Sequence, residues 1–464
     1  MKSKKALGII KHFKGSVSKD DRYNYGKSLR DTCPIASHAN LDLAERPDPI
    51  AMHMESDKGR MSSLLPIRYE RMMESPFTFF RGSAGLMASD LSQLPSTKMY
   101  LQACGDCHLL NFGGFATPER KLVFDINDFD ETSVAPWEWD VKRLAASFTI
   151  AGFDKGFSQA ESQAAAFAVA NSYRIHMNEY SEMSALQIWY SQINLKDLIV
   201  SGKIKNAKQF DPAQIKKAIK RQPHIKDFTK LVYAKNGQPA IKDIPPLIYH
   251  FKDEKQAEFS RQAESAFYRY LKILPNDRRT LLQRYSIYDT AIKVVGVGSV
   301  GTQCGIMLLL SATGDPLFLQ FKEAKQSVLE QYIGKSQFKN HGQRVVEGQK
   351  LMQSASDIFL GWTHDDTGKQ FYIRQLRDAK VKPILEDMEY STFLTYAKSC
   401  GWALARAHAR TGDPAIISGY MGNNTAFEEA IAQFSMLYMQ QNNVDYLRMK
   451  REIDRGGIPY APSN

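Results

Sequence analysis

The stretch from Ile292 to Lys322 constrains the fold of this chain more tightly than any other. Ile292-Lys293-Val294-Val295 has the β-branched character of a strand and runs straight into Gly296-Val297-Gly298-Ser299-Val300-Gly301. That glycine spacing serves two architectures. In a parallel dinucleotide-binding unit a helix follows the third glycine, and an acid about twenty residues on takes the ribose, a place Glu323 fills. In an antiparallel hairpin the glycine backbone covers phosphates, and a lysine on a following strand reaches them, a place Lys322 fills. The turn signal Thr313-Gly314-Asp315-Pro316 lies midway between glycines and lysine, where a hairpin needs a turn and a crossover helix has room for one only at its end. The spacing therefore favours a hairpin with arms at Ile306 to Leu310 and Leu317 to Phe321.

Residues 100–131 hold the densest group of reactive side chains. Gly105-Asp106-Cys107-His108-Leu109-Leu110-Asn111 sets a carboxylate five residues before a carboxamide, and Asp125, Asp128, Asp130 and Glu131 follow a short strand at Leu122 to Phe124. Phosphoryl transfer uses these residue types: one aspartate orients or deprotonates the attacking group, while an asparagine and a second carboxylate hold magnesium against the phosphates. The plain alternative is a solvated acidic loop closed by an Asx-turn. Cys104 and Cys107 form C-x-x-C, but there is no second such pair to complete a zinc site, and Asp106 between them already has a role. Phe79-Phe80-Arg81-Gly82-Ser83 puts a guanidinium beside either a phosphate or a structural acid.

The first two of these segments resemble the catalytic loop of aminoglycoside and choline kinase-like enzymes, Gly-Asp-x-His-x-x-Asn followed by a strand and Asp-Phe-Asp. The matches are Gly105, Asp106, His108, Asn111 and Asp128-Phe129-Asp130. The resemblance implies that Asp106 is catalytic with His108 beside it, unless His108 is structural, and that Asn111 and Asp128 are magnesium ligands. Asp125 competes with Asp128, because the insertion between the motifs leaves the alignment slack by three residues. Asp140 matches the aspartate that braces the loop. The same reading assigns Gly296, Gly298, Ser299, Gly301 and Lys322 to the phosphates of ATP, and Glu347, with Glu330 as runner-up, to the helical acid that pairs with the lysine. Arg374 and Gln375 fall beside the adenine. Ala403 to His408 resembles the helix that directly precedes the catalytic loop in such enzymes, yet it lies near the C-terminus, so the resemblance implies a circular permutation.

A chain of 464 residues allows about two to four domains or lobes. The expected architecture is α+β: a two-lobed, circularly permuted kinase-like fold with a large helical insertion. Its parts are a lead-in at 1–67, the catalytic and metal-site part of the large lobe at 68–157, a helical region at 158–287, a small lobe at 288–380, and returning helices at 381–464. With 43% hydrophobic and 24% charged residues the composition is that of a soluble globular protein. The net charge of +11 is interleaved with acids and forms no basic arm, which points to anions such as nucleotides rather than to a specific nucleic acid. Five scattered cysteines argue against a disulfide scaffold, and neither a membrane-length apolar run nor a secretory leader is visible, so a cytoplasmic protein without membrane contact is expected.

Taken together, Phe80-Arg81-Gly82, Gly105-Asp106-Cys107-His108, Asn127-Asp128-Phe129-Asp130-Glu131, Trp137-Glu138-Trp139-Asp140 and Val295-Gly296-Val297-Gly298-Ser299 look like the bacterial domain-of-unknown-function 2252 family. That resemblance supplies no substrate. The residues themselves predict an ATP- and magnesium-dependent phosphotransferase acting on an unknown small-molecule or protein acceptor, nucleotidyl transfer being the rarer use of the same parts. Two alternatives stay open. An NAD-type oxidoreductase predicts a parallel sheet at 290–325, and a nucleotide-binding pseudokinase with a regulatory role predicts ATP binding without turnover.

Overall fold

The structure, a computed structural model, describes residues 17–195, 198, 230–235, 237–294, 296, 300–376 and 381–460. Strands β1 (Tyr100–Ala103), β2 (Phe112–Ala116), β3 (Leu122–Ile126) and β4 (Ser133–Pro136) frame the acidic motifs. They form two antiparallel ladders, β1 with β4 and β2 with β3. Ala103 lies opposite Ser133 and Phe112 opposite Ile126, so the register alone sets the 104–111 loop beside the 127–132 loop. Two hydrogen bonds tie the loops together: Asn127 N–H donates to the Asn111 carbonyl at 2.7 Å, and the Thr132 hydroxyl to the Ala103 carbonyl at 2.6 Å.

The helix Trp137–Asp154 follows directly and is buried along Trp137 to Gly152. A helix buried on nearly every side needs partners all round. It has them in the helices Gln159–Ser181, Tyr390–Ala409 and Ala426–Asp454, and Trp137 stacks on Tyr173 with ring centroids 5.6 Å apart. The first described helix, Lys19–Ser28, packs on Pro414–Met421 of the same body. A Cβ at Gly26 would lie 2.0 Å from the Ile416 carbonyl oxygen, and one at Gly419 2.0 Å from that of Tyr23, so glycine is required at both crossings. The first and last described helices thus belong to one helical core.

Lys142 is enclosed in this core at 1% exposure, its ammonium 4.5 Å from the Phe434 ring centroid. Burial pushes its pKa down to about 8 against the opposing pull of Glu138. Because the folded pKa lies below the unfolded value of 10.5, the buried ammonium is a full cost below pH 8, and stability rises as the pH climbs from about 8 to 10.5. Lys142→Met should therefore raise stability at pH 7 by on the order of 2 kcal/mol. Urea unfolding of both proteins at pH 7 and pH 10 checks this, and a gain that fails to shrink at the higher pH would refute it.

The second unit holds β5 (Val232–Lys235), β6 (Gln238–Ile241), β7 (Ile248–Tyr249), β8 (Tyr285–Lys293), β9 (Cys304–Ser311), β10 (Pro316–Glu323), β11 (Gly361–His364) and β12 (Gln370–Gln375). Six of these make one antiparallel sheet in the order β11-β12-β10-β9-β8-β7. The turn joining β9 to β10 has Gly314 at φ 82°, and Asp315 accepts from the hydroxyls of Ser311 and Thr313. Helix Glu254–Ile273 covers one sheet face through Phe259, Phe267 and Tyr270, and the β5–β6 hairpin covers the other through Val232 and Ile241.

Antiparallel pairing throughout this segment removes the parallel sheet that the dinucleotide alternative needs at 290–325; the β9–β10 connection is a tight turn with no room for a crossover helix. Two helices follow β10, Glu330–Ile333 and His341–Met352, parted around Gly334 at φ 94°. The region expected to be mostly helical, 158–285, also carries β5, β6 and β7. No helix of the described residues is long and apolar enough to cross a membrane.

Candidate functional site

The Asp106 loop is held by its backbone. Asp140, in the first turn of helix Trp137–Asp154, accepts the N–H groups of Cys104 at 2.7 Å and Gly105 at 3.0 Å. His408 Nε2 lies 3.2 Å from the same carboxylate, and its Nδ1 lies 2.9 Å from the Tyr173 hydroxyl. Gly105 has φ 82°, and a Cβ there would meet the Glu131 carbonyl oxygen at 2.3 Å. Only glycine fits. With the loop fixed this way, Arg143 Nε and Nη2 both donate to Asp106 Oδ1, at 2.8 and 2.6 Å, leaving Oδ2 3.9 Å from His108 Nε2. The Asn111 amide nitrogen donates to the Asp106 carbonyl at 2.7 Å, so its side-chain oxygen is the end left to a ligand.

The neighbouring loop carries two carboxylates in different states. Asp130 accepts from the Lys322 ammonium on one oxygen and from the Tyr372 hydroxyl, at 2.8 Å, on the other. Lys322 and Tyr372 face each other across β10 and β12, which is why one carboxylate meets both. Burial alone would lower the Lys322 pKa and raise that of Asp130; their mutual attraction wins in both cases, so Lys322 is held up and Asp130 down. Asp128 goes the other way: burial raises it first, and the Asp130 charge raises it further. Environments that push two adjacent carboxyls apart are typical of working sites.

Asp106, His108, Asn111, Asp128, Asp130 and Gly296 all line one cleft of about 390 Å³, the size of a small-molecule site. Lys322 reaches this group through Asp130, 192 residues away in sequence. Gly301, at φ 87°, accepts the Met61 N–H at 2.7 Å. Gly298 and Ser299 lie outside the described residues.

Three sequence assignments, Asp125, Glu347 and Glu330, are corrected. Asp125 is 0% exposed and spends both oxygens on Arg406 Nη2, at 2.7 and 2.9 Å, and one also on the N–H and hydroxyl of Ser354, so it belongs to the core and not to the cleft. Glu347 does not meet Lys322. The buried stripe of its helix is Val345, Gly348, Gln349 and Met352, which turns Glu347 outward toward Lys350 at 3.7 Å. Glu330, the runner-up, pairs with Arg344 at 3.5 Å. Arg374 and Gln375 line a separate cavity of about 100 Å³ with Asn127 and Gln353, and Arg374 Nε donates to Gln320 at 3.0 Å.

Two features escaped the sequence reading. Arg143, the anchor of Asp106, sits one helical turn after Asp140 and was legible from that spacing. Residues 60–71 hold the two described ends of the glycine segment: Arg60 Nη1 donates to the Val300 carbonyl at 2.5 Å and Arg71 Nη1 to that of Gly296 at 2.8 Å, while Leu64 packs on Val294 and Val300. Arginines aimed at backbone carbonyls carry no sequence signal. Cys104 and Cys107 are buried thiols within 4.8 Å of each other and of Asp140, whose oxygens already take two backbone N–H groups; burial raises both thiols, Cys107 to about 11.

A family model described as an uncharacterised protein conserved in bacteria (DUF2252) matches residues 60–452, and the chain belongs to that family. No curated protein matches the chain, and no solved structure does.

Proposed function

We propose that this protein is an ATP- and magnesium-dependent phosphotransferase built on a circularly permuted, two-lobed kinase-like fold. The observation that carries the reading is the meeting of Asp106, Asn111 and Asp128 in one cleft with Gly296, with Lys322 reaching Asp130 of the same acidic loop from a distant strand. Helices from both ends of the chain share one core, as a permutation within the larger lobe requires. The donor set suits magnesium: a carboxamide oxygen and a carboxylate are hard oxygen ligands, and a divalent cation would offset the repulsion between Asp128 and Asp130. Bound there, magnesium would neutralise phosphate charge.

The chain's own residues supply the rest. Asp106, with Oδ1 fixed by Arg143, offers Oδ2 to orient or deprotonate an acceptor hydroxyl. Lys322 and the Gly296 backbone face the nucleotide phosphates. One observation favours a nucleotide-binding pseudokinase as the second reading: Lys322 pairs with Asp130 rather than with a helical acid, and Glu347 points away.

Thermal shifts with ATP, ADP and NAD, with and without magnesium, test the reading. ATP with magnesium should raise the melting temperature and NAD should not. Lys322→Ala, read against its own baseline, should weaken ATP binding by about tenfold or more, because a charge-assisted contact to phosphate is lost. Stabilisation by NAD alone, or unchanged ATP affinity in the variant, would overturn it.

A further inference from the structure

Arg81 belongs to the cleft wall built from the helices before the Asp106 loop and has no place in the machinery above. Ser75 and Thr78 cap the helix Pro76–Gly82 reciprocally, at 3.2 and 2.8 Å, and this fixed start puts Arg81 in the last turn, where it lines the cleft with Asp106 and His108. Its Nε is buried without a hydrogen-bond partner, and the guanidinium makes no ion pair among the described residues. Its electrostatic neighbours are the carboxylates Asp106, Glu74 and Asp128, yet it bonds none of them. The other basic groups of the wall are committed. Arg68 donates to Asp57 at 2.9 Å, Arg60 to the Ser56 and Val300 carbonyls, and Lys325 to the Lys58 carbonyl at 3.2 Å. His108, 4% exposed, also has a buried Nδ1 with no partner.

A guanidinium has five N–H donors in a planar fork; in Arg81 the buried Nε donor is unmet and the half-buried fork lines the cleft. A fork of this shape matches the oxygen pair of a phosphate or carboxylate. Lys322, Asp128 and Gly296 already face the nucleotide phosphates in the proposed function, whereas Arg81 comes from the segment before the Asp106 loop, whose Met52, His53, Ser83 and Leu86 also line the cleft. We propose that Arg81 anchors the acceptor by binding a phosphate or carboxylate group on it, so that the acceptor is a hydroxyl compound bearing an acidic group. The inference rests on the phosphotransferase reading of the cleft. The acceptor's hydroxyl oxygen bonds to the γ-phosphorus while the bond to the departing nucleoside diphosphate breaks, and the hydroxyl proton passes to Asp106.

The test is calorimetric titration of inorganic phosphate, and separately of acetate, into wild type, Arg81→Gln and Arg81→Lys. Each protein is titrated alone and after loading with magnesium and an ATP analogue carrying an uncleavable β,γ-imido bridge, which fills the γ-phosphate position. Phosphate or acetate should bind both forms of the wild type, and whichever binds more tightly names the acidic group. Arg81→Gln should weaken that binding about tenfold or more and leave the affinity for the analogue unchanged, with Arg81→Lys, which keeps the charge but loses the fork, in between. Absence of anion binding to wild type, or equal binding to wild type and both variants, overturns the proposal. Loss of analogue affinity in Arg81→Gln, with phosphate excluded by the analogue, also overturns it, since the guanidinium then serves the nucleotide. Arg81-dependent phosphate binding by a wild type that takes no analogue upholds the anion site while the phosphotransferase reading fails.

Discussion

Asp106→Asn should bind ATP and magnesium as wild type does and transfer phosphate slower by about 10²-fold or more, the usual loss for a catalytic acid or base. The fold is protected because Asp140, not Asp106, holds the loop backbone, and an asparagine oxygen still accepts the two Arg143 donors now meeting Oδ1. What changes is the other atom: an amide nitrogen replaces the oxygen that would orient or accept the acceptor's proton. Asp128→Ala should separate from it by abolishing magnesium-dependent nucleotide binding, since the change removes a proposed metal ligand and leaves the loop's Lys322–Asp130 pair in place. Both can be followed before the acceptor is identified, by slow ATP hydrolysis or self-modification with labelled nucleotide. A wild type that binds ATP and does neither would favour the pseudokinase reading. An Asp106→Asn variant as active as wild type would show that the catalytic role sits elsewhere.

Local chemistry made part of this site legible in the sequence. The turn at Thr313 to Pro316 was enough to expect a hairpin, because turn residues and strand periodicity are short-range signals. Gly105, Asp106, Asn111 and Asp140 were found because the loop and its brace lie within one stretch of chain. Pairings across long separations were not legible. Lys322 takes its acid from a loop 192 residues earlier, and Asp125 takes its base from a helix 281 residues later, so nothing near either residue announces the partner. The Glu347 assignment failed over helical phase. The helix start at His341 sets which residues face inward, and Arg344 takes the inner position, donating to the Thr132 and Asp130 carbonyls. The roles of Arg60 and Arg71 were not legible because they act on backbone carbonyls of Val300 and Gly296, which any sequence presents.

The two aspartates that compete for the metal in the sequence should part company in a stability measurement. Asp125 and Arg406 are both 0% exposed, and Arg406 Nη2 also donates to the Met352 carbonyl at 2.6 Å, so the pair ties β3 to helix Tyr390–Ala409 and to the end of helix His341–Met352. Removing one partner strands the other's charge in the core, which costs about 3–5 kcal/mol. Asp125→Ala and Arg406→Leu should each lose that much in urea unfolding, while the pair replaced together by leucine should lose less than the two single losses added, because no charge is then left unpaired. Asp128→Ala should instead lose less than either single variant, since its carboxyl is disfavoured as an anion by burial and by Asp130 and accepts only the Asp130 N–H, at 3.2 Å, among the described residues. An Asp125→Ala variant that unfolds like wild type but loses magnesium-dependent nucleotide binding would reverse the assignment, making Asp125 the metal ligand and the Arg406 pair dispensable to the core.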